Sequence, residues 1–202
     1  IALGTLIGAA AGFYGGLVDN LLMRFTDVML TIPQLFLLLI FGQLLRATNN
    51  PELSSGPVPI ILIIGILAWM PVARLVRGQF LSLKTLDYVD AARALGVANS
   101  RIILRHILPN AISPIIVAAT LRVGAAIITE STLSFLGYGV QAPTPTWGNM
   151  LKNAQSFITT SPWTAIVPGL AIFATVLAIN FVGDGLRDAL DPRTLVRARR
   201  QG

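Results

Sequence analysis

The segment that decides the fold reads DYVDAARALG at residues 87–96 and NSRIILRHILP at residues 99–109. It is a polar, basic island between two long apolar stretches. Its alanines and leucines favour helix, Gly96 can form a left-handed C-cap, and the polar residues that follow can cap a second helix. Pro109 disfavours continuation of that second helix. The sequence therefore predicts a helix, a glycine turn and a second helix that ends at the proline; an ordinary solvated loop is the alternative.

Composition places this island in a membrane protein. Of the 202 residues, 54% are hydrophobic and 12% are charged, and the mean hydropathy of +0.72 is too high for a soluble domain of this size. Any one apolar segment could be a buried helix of a soluble protein, but five of them leave too little polar sequence to cover a globule. Each is close to the ~20 residues that cross a bilayer core. The five predicted transmembrane helices are residues 1–18, 28–45, 58–76, 111–136 and 163–183.

We therefore predict an all-α polytopic membrane protein in which residues 1–202 form one transmembrane domain. Basic residues set its orientation, because loops rich in Lys and Arg stay in the cytoplasm. Alternate sides of the five helices hold 12 and 2 basic residues, so the island at 77–110 and the tail at 184–202 are predicted to be cytoplasmic. The 12 are Arg24, Arg74, Arg77, Lys84, Arg93, Arg101, Arg105, Arg187, Arg193, Arg197, Arg199 and Arg200, and the 2 are Arg46 and Lys152.

The island also resembles the cytoplasmic loop signature of ABC-importer permeases, in which Glu-Ala-Ala, three residues, Gly and nine residues precede Ile-x-Leu-Pro. Here Asp90-Ala91-Ala92 takes the first position, Gly96 the second, and Leu108-Pro109 closes the motif at the same spacing. Asp90 replaces the glutamate, and His106 replaces the isoleucine. In such permeases this loop contacts the ATPases. The residues that the resemblance assigns to this coupling loop are Asp90, Ala91, Ala92, Gly96, Leu108 and Pro109.

Three further segments are similar to the dipeptide, oligopeptide and nickel subfamily of these permeases. They read ESTLSFLGYG at 130–139, PTPTWGNML at 143–151 and DGLRDALDPR at 184–193. The resemblance is to the C-type subunit and covers essentially the whole chain. It implies six membrane helices with both ends cytoplasmic. We therefore expect the first helix to be missing, since the chain begins at Ile1, inside an apolar run and without a methionine.

The resemblance implies both a function and a set of partners. The chain would be the translocation subunit of an importer for peptides or a related small solute, in the cell membrane of a prokaryote. Its partners would be a homologous second permease, two cytoplasmic ATP-binding subunits and an extracytoplasmic substrate-binding protein. Two other functions stay open. A secondary transporter or channel would have inverted repeats and midplane ion ligands, and no internal duplication is visible in the sequence. A non-transporting scaffold would leave the island unexplained.

Glycine recurs every fourth residue in the first apolar segment, at Gly4, Gly8, Gly12 and Gly16. This spacing puts four positions without side chains near one helix face, where another helix can approach closely. The sequence leaves two alternatives for that helix. It can belong to this chain or to a partner subunit.

Two charged residues, Arg122 and Glu130, lie inside the fourth predicted transmembrane helix. Charges at this depth are costly and usually face protein or water. Eight residues of helix separate them by about 12 Å, so a direct ion pair within one straight helix is not expected. Either each pairs with another group or reaches the interface, or the two line the solute pathway.

Enzyme chemistry is not indicated. The sequence contains no Gly-rich phosphate loop for ATP, and its single histidine, His106, has no cysteine or Glu-x-x-His context for a metal site. We expect no cofactor and no metal. The net charge of +6 requires no nucleic acid, because Arg197, Arg199 and Arg200 can meet anionic lipid headgroups or solvent.

Overall fold

The computed structural model describes residues 1–48, 56–141 and 143–190. Within these ranges every regular element is helical, which confirms the predicted all-α fold, and the predicted tail beyond Leu190 lies outside them. A π-helical turn spans Ile103–Ile107, and a 3₁₀ turn spans Gln155–Phe157. The α-helices are α1 (Ala2–Tyr14), α2 (Gly16–Thr31), α3 (Gln34–Arg46), α4 (Val58–Leu67), α5 (Trp69–Leu83), α6 (Asp87–Ala94), α7 (Asn99–Ile102), α8 (Leu108–Phe135), α9 (Trp147–Ala154) and α10 (Trp163–Leu190).

Three helical runs of the described chain are long and apolar enough to cross a membrane. These runs contain the helices predicted at 58–76, 111–136 and 163–183, and only the end of the second differs, by one residue. A fourth crossing is present if α2 and α3 are counted together as one broken span, and α1 is a shorter apolar helix. The three runs are Val58–Leu83, Asn99–Phe135 and Trp163–Leu190.

The other two predicted transmembrane helices have different boundaries in the structure. The helix predicted at 1–18 ends at Tyr14, because Gly15 and Gly16 adopt φ angles of 67° and 54° that interrupt a right-handed helix. The helix predicted at 28–45 is interrupted at Pro33, whose ring removes a backbone donor. Its first residues belong to α2, which begins at Gly16 and was not predicted.

The chain divides into two compact units, and the first comprises residues 1–31, 68–119 and the described residues from 182 onward. In it, α1 packs directly on the backbone of α5. A Cβ added at Gly4 would lie 2.5 Å from the Trp69 carbonyl oxygen, and one at Gly12 would lie 2.6 Å from the Phe80 Cβ. Gly8 is equally crowded, whereas Gly16 has nothing within 4 Å. The first three glycines therefore serve packing within this chain.

One hydrophobic cluster joins this α1–α5 pair to the island. It takes side chains from the end of α1, from α5, from α6 and from the run that leads into α8. The island is therefore built into the core of its unit. The cluster consists of Ala9, Phe13, Val72, Val76, Phe80, Val89, Ala92, Ile102, Ile107, Ala111 and Ile115.

The second unit comprises residues 32–67 and 120–181. Glycine again marks the close contacts. Gly124 of α8 lies against α10, where an added Cβ would be 3.6 Å from the Val176 Cγ1 and the Asn180 Oδ1. An ordinary van der Waals distance of this kind leaves room for a methyl group, unlike the contacts between α1 and α5.

Candidate functional site

The first helix of the island, α6, ends in the glycine cap that the sequence predicts. The φ of Gly96 is 71°, its N–H donates to the Arg93 carbonyl at 2.9 Å, and the Val97 N–H donates to the Ala92 carbonyl at 3.1 Å. These two bonds form a Schellman motif, which satisfies carbonyls that the helix end would otherwise leave without donors. Val97 also packs against the hydrophobic cluster, so the cap fixes the direction in which the chain leaves α6.

One side of α6 is held by the rest of its unit. Val89 is fully buried and Ala92 is 7% exposed, both within the hydrophobic cluster. The Arg93 guanidinium lies 5.7 Å from the centre of the Phe13 ring, within the range of a cation–π contact. These contacts tie α6 to the end of α1. The Lys84 Nζ, just before α6, donates to the Gly12 carbonyl at 2.7 Å and so ties the end of α5 to the same place.

The opposite side of α6 and its cap are open. Ala91 and Gly96 are exposed, and Leu95 is 84% exposed, the largest value among the exposed large hydrophobic residues described. Asp90 is also exposed, and its carboxylate accepts a hydrogen bond from Arg93 at 3.0 Å. The predicted coupling residues therefore divide. Asp90, Ala91 and Gly96 are available to another molecule, whereas Ala92 packs inward.

The second helix of the island does not end at Pro109, contrary to the prediction. Helical structure runs on from Asn99 to Phe135, with the π turn directly before Leu108 and Pro109. A proline removes one backbone donor from a helix, and the wider turn lies where the regular hydrogen-bond pattern would be interrupted. The Asn110 side chain donates to the His106 carbonyl at 2.6 Å and to the Tyr88 hydroxyl at 3.4 Å, which links α8 to α6. Leu108 is half-buried against the cluster.

The carboxylate of Glu130, inside the fourth predicted transmembrane helix, has a partner on its own helix. The Ser134 hydroxyl donates to the Glu130 Oε1 at 2.6 Å and accepts from the Val140 N–H at 3.1 Å. Ser134 is fully buried, and Gly148 of α9 leaves room for it, since an added Cβ there would lie 2.6 Å from the Ser134 Cβ. Glu130 thus helps to hold the turn that follows α8.

Arg122, on the same helix, is half-buried. It forms no ion pair with Glu130, nor with any other residue in the described ranges. The two residues singled out together in the sequence are therefore not brought together. The structure gives Glu130 a specific contact, whereas for Arg122 it shows only that the residue is half-buried.

Two ion pairs between α2 and α5 were missed by the sequence analysis. Arg77 donates to both carboxylate oxygens of Asp19, at 2.5 and 2.7 Å, and Arg74 donates to the Asp27 Oδ1 at 2.5 Å. The sequence offered only one sign of these pairs: Asp19 and Asp27 lie on one side of α2, and Arg74 and Arg77 lie close together on α5. Across the described residues, no group of three or more metal-ligating side chains is present.

Comparison with known proteins matches residues 4–196 to the family model described as binding-protein-dependent transport system inner membrane component. The glutathione transport system permease protein of Pectobacterium atrosepticum is 44% identical over 191 residues, which cover 95% of this chain and 61% of that protein. The corresponding Escherichia coli protein is 45% identical over 192 residues, with 95% and 61% covered.

A relative named for a different solute is about as similar. The dipeptide transport system permease protein of Alkalihalophilus pseudofirmus is 44% identical over 191 residues, which cover 94% of this chain and 60% of that protein. The chain thus spans about 60% of the length of the curated relatives it matches.

Proposed function

We propose that this chain is a translocation subunit of an ATP-driven importer. The proposal starts from its family, because the chain belongs to the binding-protein-dependent transport system inner membrane components. The family description makes it an inner-membrane protein, as predicted, and the long apolar helices agree. The relatives are permease subunits, which agrees with the prediction that the chain is not itself an enzyme.

The observation that supports this proposal is the two-sided character of α6. Its inner side is anchored by Val89 and Ala92 in a cluster shared with α1, α5 and the start of α8, while its outer side and cap present Ala91, Leu95 and Gly96. A force applied at the cap would be passed to α5 and α8, because packed helices move as rigid bodies. Both helices continue into apolar runs long enough to cross a membrane. The arrangement suits a lever that a partner moves from the cytoplasm.

We infer the partners from this role. The exposed side of α6 would dock on one of two cytoplasmic ATP-binding subunits, with Ala91 permitting close approach and Leu95 as an apolar contact. A homologous second permease would complete the pathway, and an extracytoplasmic binding protein would deliver the solute. Relatives named for glutathione and for dipeptide transport make a peptide or similar small solute the proposed cargo.

For Glu130 we propose an anchoring role instead of one in the pathway. Its hydrogen bond with Ser134 connects it to the turn after α8, and that contact accounts for a carboxylate at this depth. Arg122 is proposed to face a partner helix or water, because an arginine exposed to lipid at mid-helix is costly.

The test of the lever uses the absence of cysteine from the sequence. In the assembled complex, a Leu95→Cys variant should cross-link to an ATP-binding subunit, whereas Asn153→Cys, exposed on α9, should not. Added ATP should change the yield at Leu95, because docked subunits rearrange on closing. Cross-linking from Asn153 alone, or from neither site in an active complex, would contradict the proposed coupling surface.

A second test concerns orientation. An impermeant maleimide should label Asn99→Cys only from the cytoplasmic side and Asn153→Cys only from outside. This outcome follows from the distribution of 12 and 2 basic residues. Labelling of both positions from one side would overturn the topology with five crossings.

A further inference from the structure

The helix α2, which the sequence analysis did not predict, has an unusual distribution of apolar side chains. Leu17, Leu21, Phe25 and Val28 follow one another at steps of four, four and three residues, so they share one face of the helix. Their exposed fractions are 79%, 68%, 57% and 62%. Leu17, Leu21 and Val28 therefore point away from the rest of the chain, while the half-exposed Phe25 ring stacks on the Trp69 ring of α5, with 6.1 Å between the ring centres.

The polar face of α2 is the one that packs on the protein. Asp19 is bound by both donors of Arg77, and its side chain is 17% exposed, while Asp27 is bound by Arg74. Thr26, fully buried beside them, donates its hydroxyl to a carbonyl of its own helix. A helix on the surface of a water-soluble protein has the reverse arrangement, with its apolar stripe inward.

The start of α2 explains how this orientation is reached. Gly15 and Gly16 adopt positive φ angles in succession, so the chain changes direction between α1 and α2. The two ion pairs with α5 then hold α2 in one rotation about its axis. With the carboxylates turned toward α5, the apolar side chains on the opposite face are left to contact whatever surrounds the molecule.

The charged residues of α2 indicate what surrounds its apolar face. The two acids of α2 are bound by arginines of α5, but Arg24 is exposed, and its Nε donates to the neutral Asn20 Oδ1 at 3.1 Å. Arg24 lies close to Leu17 and Val28 around the helix, at the border of the apolar face. A cation beside an exposed apolar face is typical of helices that lie in the interface of an anionic leaflet, where the arginine reaches the phosphates.

We propose that α2 is an interfacial helix of the cytoplasmic leaflet, with Leu17, Leu21, Phe25 and Val28 among the acyl chains and Arg24 on an anionic headgroup. The proposal depends on the cytoplasmic location of Arg24 in the predicted topology, but not on which solute is carried. A second permease covering the same face is the competing arrangement. The two differ in whether lipid touches these side chains in the assembled complex.

The experiment attaches an environment-sensitive fluorophore to single cysteines at Leu21, Phe25 and Asn20, in the assembled complex in nanodiscs that contain phosphatidylglycerol. Probes at Leu21 and Phe25 should emit at short wavelength and be quenched by nitroxide on the lipid acyl chains. The probe at Asn20, which is exposed and lies about 100° from Leu21 around the helix, is the matched control and should be quenched by aqueous iodide instead. Blue emission without lipid quenching at Leu21 and Phe25 would mean a protein cover, and iodide quenching there would mean water; either result overturns the proposal.

The headgroup contact is tested separately by Arg24→Gln and Arg24→Lys. One basic residue near an anionic membrane changes the preference for anionic over zwitterionic lipid by about fivefold. Native mass spectrometry of the complex should therefore show lower phosphatidylglycerol retention for Gln and retention close to the original for Lys. Equal retention in all three proteins would remove Arg24 from the proposal. Because neither readout measures uptake, a failure of the proposed transport function would leave these results unchanged.

Discussion

The island around α6 and the turn that follows α8 are both places where glycine lets the chain approach itself closely, but different forces hold them. Around the island, Gly4, Gly8 and Gly12 admit the backbone of α5, and an apolar cluster fills the space beyond. After α8, Gly148 admits Ser134, and hydrogen bonds to Glu130 and Val140 hold the turn. Apolar packing keeps the island rigid on its inner side while its outer side stays free to bind a partner. The hydrogen bonds after α8 instead fix the short turn in one conformation.

The largest expected effect comes from filling the α1–α5 contact. In Gly8→Val the new Cβ would overlap the Ala73 carbonyl and lie 2.8 Å from the Val76 Cβ, and both belong to a helix that cannot shift alone. We expect a loss of about 3 kcal/mol, at the upper end of overpacking costs. Denaturation of the purified complex in a series of sodium dodecyl sulfate concentrations measures it.

The matched control is Gly78→Val on α5, where an added Cβ would have nothing within 4 Å. We expect it to stay within about 0.5 kcal/mol of the original protein, as exposed substitutions usually do. Similar losses at Gly8 and Gly78 would mean that the close contact between α1 and α5 does not account for the loss of stability.

An intermediate effect is expected from the hydrogen-bonded turn. Ser134→Ala removes the acceptor of the buried Val140 N–H and the donor to Glu130, which should cost about 1–3 kcal/mol. Thr132→Ala is the control, because that exposed hydroxyl bonds only to the Ile128 carbonyl of its own helix. Thermal unfolding of both variants measures the difference, and a Ser134 variant as stable as the Thr132 variant would show that apolar contacts hold the turn as well.

The smallest effect on stability, but not on function, is expected at Gly96. Alanine there meets nothing within 4 Å, so its cost is only that of the positive φ, about 1 kcal/mol. Gly96→Val should cost more locally and still insert, yet it would change the direction in which the chain leaves α6. Uptake and substrate-stimulated ATP hydrolysis should then fall together in proteoliposomes. A well-assembled Gly96→Val complex with normal values of both would separate the island from coupling.

The sequence predicted what depends on local patterns. The long apolar helices, the α6 helix and the Gly96 cap follow from composition, helix propensity and the conformational freedom of glycine, and the structure contains all three. It did not predict the pairs Arg77–Asp19 and Arg74–Asp27, because their members lie 58 and 47 residues apart, and nothing local specifies that they meet. The inward orientation of Ala92 was missed for a related reason. A family motif records which residues recur without distinguishing those that bind a partner from those that pack.

The π turn before Pro109 has a consequence for the rotational phase of the island. Ile102 and Ile107 are both fully buried although five residues separate them, and in a regular α-helix they would point about 140° apart. The turn contains one extra residue, which brings both onto one face and in phase with Ala111 and Ile115, each four residues further on. If this turn became a regular α-helix without losing a residue, α7 would rotate by about 100° relative to the start of α8, whereas deleting the exposed Leu104 would allow a regular helix with both isoleucines still on one face. The island therefore depends on a count of residues as well as on their identity.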